Sequence, residues 1–192
     1  MRKTLLLTIA LSGVLSASSI TYTETFTGSG SLGGTSFTGQ LISLTMTTDT
    51  SLITTQNGAY LQQGSASVNI SGLGTATFTD HLTVVSNPNF GDGGFSDYVT
   101  SVPVAFVINN IFGTYNLASP LAPTSGPLNN SQEDETFTTS KGAFTVDNPT
   151  GNGTFQATTA VPEPGQMLAL GASLSGLLAV RWKRRFLAQN RG

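Results

Sequence analysis

The sequence contains no cysteine and only one histidine, His81. Without cysteine there is no disulfide and no thiol nucleophile, and one histidine is too few for the usual zinc ligand sets. A Gly-x-Ser-x-Gly motif is also missing, which removes the nucleophile elbow of an α/β-hydrolase. Asp80 precedes His81, but adjacent strand residues point to opposite faces, so we interpret the pair as a surface carboxylate beside a strand histidine. These absences favour a protein that is not an enzyme.

Basic residues are almost missing from the middle of the chain. Of the eight Lys and Arg residues, two lie before residue 4 and five after residue 180, so Lys141 stands alone between them. Nine of the ten acidic residues lie between Glu24 and Asp147, and nine acids against one lysine give this body a formal charge of −8. Such a body repels phosphate groups, so we expect no nucleic-acid partner.

The first 18 residues have the three parts of a secretory signal peptide. Arg2 and Lys3 precede an apolar stretch, Leu5 to Leu15, and the small residues Ser16-Ala17-Ser18-Ser19 follow. The apolar stretch is too short to span a membrane. We therefore predict that residues 1–18 form a signal helix and that the protein is exported. The preferred cleavage site follows Ser18, with Ala17 and Ser19 as close alternatives.

The other end of the chain has a second three-part segment. Val161, Pro162, Glu163 and Pro164 come first, and the two prolines favour extended backbone there. An uncharged stretch, Met167 to Val180, is predicted to form one short transmembrane helix. A basic cluster ends the segment and would stop transfer at the cytoplasmic side, leaving residues 186–192 as a cytoplasmic tail. The cluster consists of Arg181, Lys183, Arg184 and Arg185.

Residues 160–185 therefore resemble the C-terminal sorting signal called PEP-CTERM, which is found on exported proteins of Gram-negative bacteria. The Pro162-Glu163-Pro164 sequence, the apolar helix and the basic end match that signal in the same order, although the tail after Arg185 is longer than is usual. The resemblance implies a membrane processing enzyme of the exosortase type as a partner. It also implies an inner-membrane, single-pass intermediate, followed by release to the cell surface or the extracellular space. A plain membrane anchor is the alternative.

Residues 19–159 show the period-two alternation of half-buried β-strands, rich in Thr, Val, Ile and Phe. Gly33-Gly34, Asn57-Gly58 and other glycine pairs mark turns between them. We therefore predict an all-β fold, a single antiparallel β-sandwich of about eight strands. Residues 116–135 contain three prolines and are predicted to form a surface loop.

The segment from Asn87 to Asp97 is the one candidate metal site in the sequence. Oxygen-bearing side chains on a glycine-rich loop suit calcium, although the spacing of an EF-hand is absent. The candidate ligands are Asn87, Asn89, Asp92 and Asp97. Apart from calcium we expect no cofactor, and an ordinary turn is the alternative, because the same residue types form turns.

The function that these patterns favour is a surface or extracellular-matrix protein without catalytic activity. The main alternative is a secreted carbohydrate-binding module, with extracellular polysaccharide as partner, which would require exposed aromatic side chains on one sheet face. The aromatic candidates are Tyr22, Tyr60, Phe90, Phe95, Tyr98 and Tyr115. An enzyme with two remote carboxylates, or an ice-binding protein that uses rows of threonines, remains a further alternative.

Overall fold

The computed structural model describes residues 19–129 and 135–159, where β-strands dominate and two 3₁₀ helices, Thr50–Leu52 and Asn110–Gly113, interrupt them. The strands are β1 (Ser19–Leu32), β2 (Thr35–Asp49), β3 (Thr54–Gln56), β4 (Ala59–Gln63), β5 (Ser65–Ile70), β6 (Gly74–Thr77), β7 (Leu82–Asn87), β8 (Asp92–Asp97), β9 (Pro103–Ile108), β10 (Leu121–Asn129), β11 (Thr136–Thr139) and β12 (Gly142–Thr159).

All the strand pairs of these residues are antiparallel, and they join into one strongly curled sheet. The strand order is β3-β4-β7-β8-β9-β10-β12-β1-β2-β5-β6, with β11 paired to β12. We call β3, β4, β7, β8 and β9 the β8 half, and β12, β1, β2, β5 and β6 the β1 half. The predicted all-β, antiparallel class is confirmed. The two halves are connected through β10, whereas the sequence suggested two separate sheets.

The β1 half follows the predicted alternation closely. Along β1, the side chains of Ile20, Tyr22, Glu24 and Phe26 are buried, and the threonines between them are partly exposed. β2 repeats the pattern with Ile42, Leu44 and Met46 inward, in register with β1. Because successive strand side chains point to opposite faces, this alternation places one face of the half in the core.

The predicted surface loop, residues 116–135, is wrong for residues 121–129, which form β10, whereas residues 116–120 form no strand and residues 130–134 lie outside the described part of the chain. Within β10, residues Thr124 to Pro127 pair with β12, and the last two, Leu128 and Asn129, pair with β9. Each part of β10 therefore pairs with a neighbouring strand on one side only, as an edge strand does. Proline is tolerated in such a strand because its missing N–H costs no ladder bond on the open side. The sequence pattern could not show that an edge-like strand would link two halves of a sheet.

A glycine makes this change of partner feasible. An added Cβ at Gly126 would overlap the carbonyl oxygen of Ile108 at the end of β9. We expect Gly126→Ala to destabilise the domain by about 1–3 kcal/mol or more, because the backbones of β9 and β10 would have to separate. Gly113→Ala is the matched control, since a Cβ there would meet no atom within 4 Å, and we expect it to change stability by less than about 0.5 kcal/mol. Urea unfolding of both variants tests this, and an equal loss of stability in both would contradict it.

At the far end of the β1 half, β11 covers the outer side of β6. Phe78 and Thr139 form a β-bridge, and the Ser140 N–H donates to the Thr77 carbonyl at 2.7 Å. Because β11 also pairs with β12, these bonds close a ring of strands at this end. The aromatic rings of Phe78, Phe137 and Phe144 pack together within it, with centroids 5.8–6.3 Å apart.

Candidate functional site: a buried carboxyl group between the halves of the sheet

The processing motif predicted at Val161 to Pro164 and the basic cluster at Arg181 to Arg185 lie outside the described residues. The same holds for the predicted signal peptide, residues 1–18. Within residues 19–129 and 135–159, no helix is long and apolar enough to cross a membrane.

The predicted calcium segment, Asn87 to Asp97, is a tight turn followed by a strand rather than a loop. Asn87 ends β7 and its Oδ1 accepts the Asn89 N–H at 3.1 Å, so this side chain shapes the turn. The amide Nδ2 of Asn89 donates to the carbonyl oxygen of Asn57 in the neighbouring hairpin at 3.2 Å. β8 then begins at Asp92.

Asp92 and Asp97 stand at the two ends of β8. A strand of six residues spans roughly 17 Å at about 3.3 Å per residue, so the two carboxylates cannot bind the same ion. Asp97 instead accepts the N–H groups of Val99 and Thr100, at 2.8 and 2.6 Å, and the Thr100 hydroxyl at 2.9 Å. The four predicted ligands do not form one site. No group of three acidic or histidine side chains among the described residues is placed to hold a metal ion.

Asp92 itself is buried, with 6% of its surface exposed. Burial raises the pKa of its carboxyl group, and the side chain of Asn129 and its own backbone N–H partly oppose this rise. Its Oδ1 has no hydrogen-bond partner among the described residues.

The aromatic residues predicted as a carbohydrate platform do not share one surface. Tyr22, Phe95 and Tyr115 are buried in the core, and Tyr60 is half-buried against it. Phe90 and Tyr98 are exposed, at 77% and 48%, but they flank opposite ends of β8. An aromatic platform built from these six residues is therefore not present.

Asp80 and His81 lie in the short connection between β6 and β7, which the sequence predicts to be part of one strand. A carboxylate oxygen of Asp80 accepts the backbone N–H of Thr138 in β11. The His81 carbonyl accepts the N–H of Tyr98 at 2.8 Å. Both contacts fix the connection to neighbouring segments. The strand position predicted for His81 is wrong, because β7 begins only at Leu82.

The most unusual side chain of the described domain is Glu24, which the sequence analysis did not single out. It lies on β1 between Leu44 of β2 and Phe155 of β12 and has no exposed surface. Its Oε2 accepts the backbone N–H of Phe95, on β8, at 3.1 Å, so the carboxyl group bridges the two halves of the sheet. Its Oε1 has no hydrogen-bond partner among the described residues.

The β8 half is built to receive this carboxyl group. The pairing of β8 with β9 shifts register between Phe95 and Ser96, so an irregular ladder lies next to the Phe95 N–H. A Cβ at Gly94 would lie 2.8 Å from Glu24 Oε2, closer than real Cβ contacts, so a glycine leaves room for the oxygen. Burial raises the pKa of Glu24 well above its ordinary value, and the Phe95 N–H only partly opposes the rise. The arrangement therefore favours the neutral form of the Glu24 carboxyl group.

The outer surface of the β1 half carries aligned hydroxyl groups, which we call the hydroxyl face. The strand register sets Thr21 beside Thr47 and Thr158, and Thr25 beside Ser43 and Thr154. The Thr21 and Thr47 hydroxyls are 2.9 Å apart. The rows arise from strand pairing, which explains why the sequence shows no repeat. The face comprises Thr21, Thr23, Thr25, Ser43, Thr45, Thr47, Ser65, Ser67, Thr154 and Thr158.

No protein-family model, no curated protein and no solved structure matches this chain.

Proposed function

We propose that this chain is an exported bacterial surface or extracellular-matrix protein without catalytic activity, sorted and cleaved at its C-terminal signal. The observation that carries the proposal is the order of three segments at the C-terminus: Pro162-Glu163-Pro164, the apolar stretch Met167 to Val180, and the basic cluster after it. A signal peptide at the other end supplies entry into the same export route. The processing partner is a membrane enzyme of the exosortase type.

The exported domain, residues 19–159, has a surface that is suited to a hydrated matrix. Serine and threonine hydroxyls both donate and accept hydrogen bonds, and these two residue types make up most of the hydroxyl face, where Gln156 lies beside Thr23 and Asn69 beside Ser43. The formal charge of −8 disfavours contact with acidic polymers. Neutral, hydroxyl-rich extracellular polysaccharide is therefore the partner class that this surface fits.

A secreted carbohydrate-binding module is the second candidate, and the hydroxyl face is the observation that favours it. Because the predicted aromatic platform is not formed, binding on this candidate would depend on hydrogen bonds and not on ring stacking. An ice-binding role is disfavoured because the rows lie on a strongly curled sheet, whereas an ice surface is flat.

Cell fractionation tests the proposed destination. We expect full-length protein, expressed in a Gram-negative host that has an exosortase, to reach the cell surface or the medium without residues 1–18. Deleting Leu5 to Leu15 should keep the protein in the cytoplasm, because the signal peptide then lacks its apolar part. Intact protein in the cytoplasm of cells that carry the unaltered gene would contradict the proposal.

A further inference from the structure

We propose that Glu24 is a proton-operated latch between the β1 half and the β8 half of the sheet. With a neutral carboxyl group, Glu24 is held in the core against the backbone of β8. When the proton is lost, the carboxylate no longer suits the core and the contact between β1 and β8 opens.

Glu24 contacts both halves of the sheet, so the protonation state of its carboxyl group affects how the two halves are held together. Glu24 lies on β1, yet its hydrogen bond goes to Phe95 N–H, 71 residues away on β8. The side chain has no exposed surface, so it cannot ionise in water without moving. Because Glu24 lies on β1, which is paired on both sides with β12 and β2, moving its side chain to water requires β1 and β8 to separate locally.

No positive charge in the described domain faces this carboxyl group. Its flanking residues on β2 and β12 are Leu44 and Phe155, and Gly94 and Phe95 approach it from β8. Ala105 and Phe106 of β9 lie beside Gly94. The titratable side chains on the adjoining elements are Tyr22, two residues along β1, Tyr115, whose ring meets that of Phe155 edge-on, and Asp92, which begins β8. Lys141, the one basic residue of the body, donates to the Leu73 carbonyl at 2.8 Å.

The direction of the pH effect follows from this environment. Burial raises the pKa of Glu24 in the folded domain, whereas in the unfolded chain the group titrates near its ordinary value of about 4.3. The folded state therefore holds the proton more tightly. Its stability is greatest below the unfolded pKa and falls as the pH rises from there towards the folded pKa. Asp92 has a pKa raised in the same direction, so the two groups must be separated experimentally.

Urea unfolding of the full chain in mild detergent, between pH 5 and pH 9, tests the latch. Glu24→Gln keeps the shape and the hydrogen bond to Phe95 but cannot ionise. We expect the unfolding midpoint of the wild type to fall with pH more steeply than that of Glu24→Gln, and the variant to be the more stable of the two at high pH. Asp92→Asn is the matched control. Its unfolding midpoint should still fall with pH through the titration of Glu24, which this variant leaves unchanged. Equal slopes for wild type and Glu24→Gln would overturn the proposal.

Amide hydrogen exchange at Phe95 gives a local reading of the same event. Once the intrinsic pH dependence is removed, loss of one proton should increase opening about tenfold per pH unit within the titration window. We expect this increase in the wild type and not in Glu24→Gln.

A direct titration keeps the proposal testable if the glutamine variant does not fold. The carbon-13 shift of the Glu24 carboxyl group in the wild type should change from that of a neutral acid to that of a carboxylate at a higher pH than is ordinary for glutamate. A shift that reports full ionisation by pH 5 would overturn the latch.

Discussion

Replacing Pro162, Glu163 and Pro164 together with alanine is expected to leave uncut protein in the membrane. On the proposed export route, we expect the basic residues after Val180 to stop transfer, because charged side chains cross the bilayer only at high cost. We then expect the chain to pause with the Pro-Glu-Pro segment just outside the membrane. Prolines favour extended backbone, which is the form that a protease binds as a strand. Alanine removes both the extended geometry and the charge.

The measurement is an immunoblot of the membrane fraction, together with mass spectrometry of the C-terminus of the protein at the cell surface. Changing Leu187, Gln189 and Asn190 to alanine is the control, since these residues follow the basic cluster and should not affect cutting. A mature, surface-located form of the wild type that still ends at Gly192 would contradict the processing step and leave a plain anchor.

The β1 half could be predicted from sequence because its side chains carry the pattern. In β1, inward Ile20, Tyr22 and Phe26 alternate with outward threonines, and a period of two identifies a strand with one buried face. The turn at Asn57-Gly58 was also predictable. Asn57 and Gly58 both have positive φ, at 51° and 84°, which this dipeptide adopts readily in a two-residue hairpin.

β8 could not be predicted in this way because two of its residues have no side chain. Gly93 and Gly94 lie in the middle of the strand, so no alternation is visible there, and the same residue types form turns. The structure explains their presence by tertiary contacts. A Cβ at Gly93 would overlap the ring of Phe112, and one at Gly94 would crowd Glu24.

The two candidate sites differ in how much of each is local in the sequence. The proposed sorting signal consists of neighbouring residues, so the order of its parts can be read directly from the sequence. The Glu24 site joins residues 71 apart, and no local pattern indicates that contact. One signal was available, however. Glu24 occupies an inward position in the alternation of β1, and a carboxyl group predicted to face a core calls for a special explanation.

Phe155→Ala is expected to cause the largest loss of stability of any single change in the core. Phe155 has no exposed surface, and its ring lies 5.5 Å from that of Phe112, 6.2 Å from Tyr22 and 6.5 Å from Tyr115, measured between centroids. These partners come from β1 and from the segment after β9, so the ring joins parts of the chain that are distant in sequence. Truncation would leave a cavity and remove several aromatic contacts, at a cost of about 3–5 kcal/mol. That is a large part of the 5–15 kcal/mol that is typical for a whole domain.

Phe90→Ala is the matched control for this prediction, because it removes the same side chain from a position that is 77% exposed. We expect that change to alter the free energy of unfolding by less than about 0.5 kcal/mol. Phe155→Leu should fall between the two, since leucine fills part of the space. Urea unfolding at a single pH, followed by the near-ultraviolet dichroism of the buried tyrosines, measures all three. A loss in Phe90→Ala as large as that in Phe155→Ala would mean that the ring at residue 155 does not occupy the centre of the core.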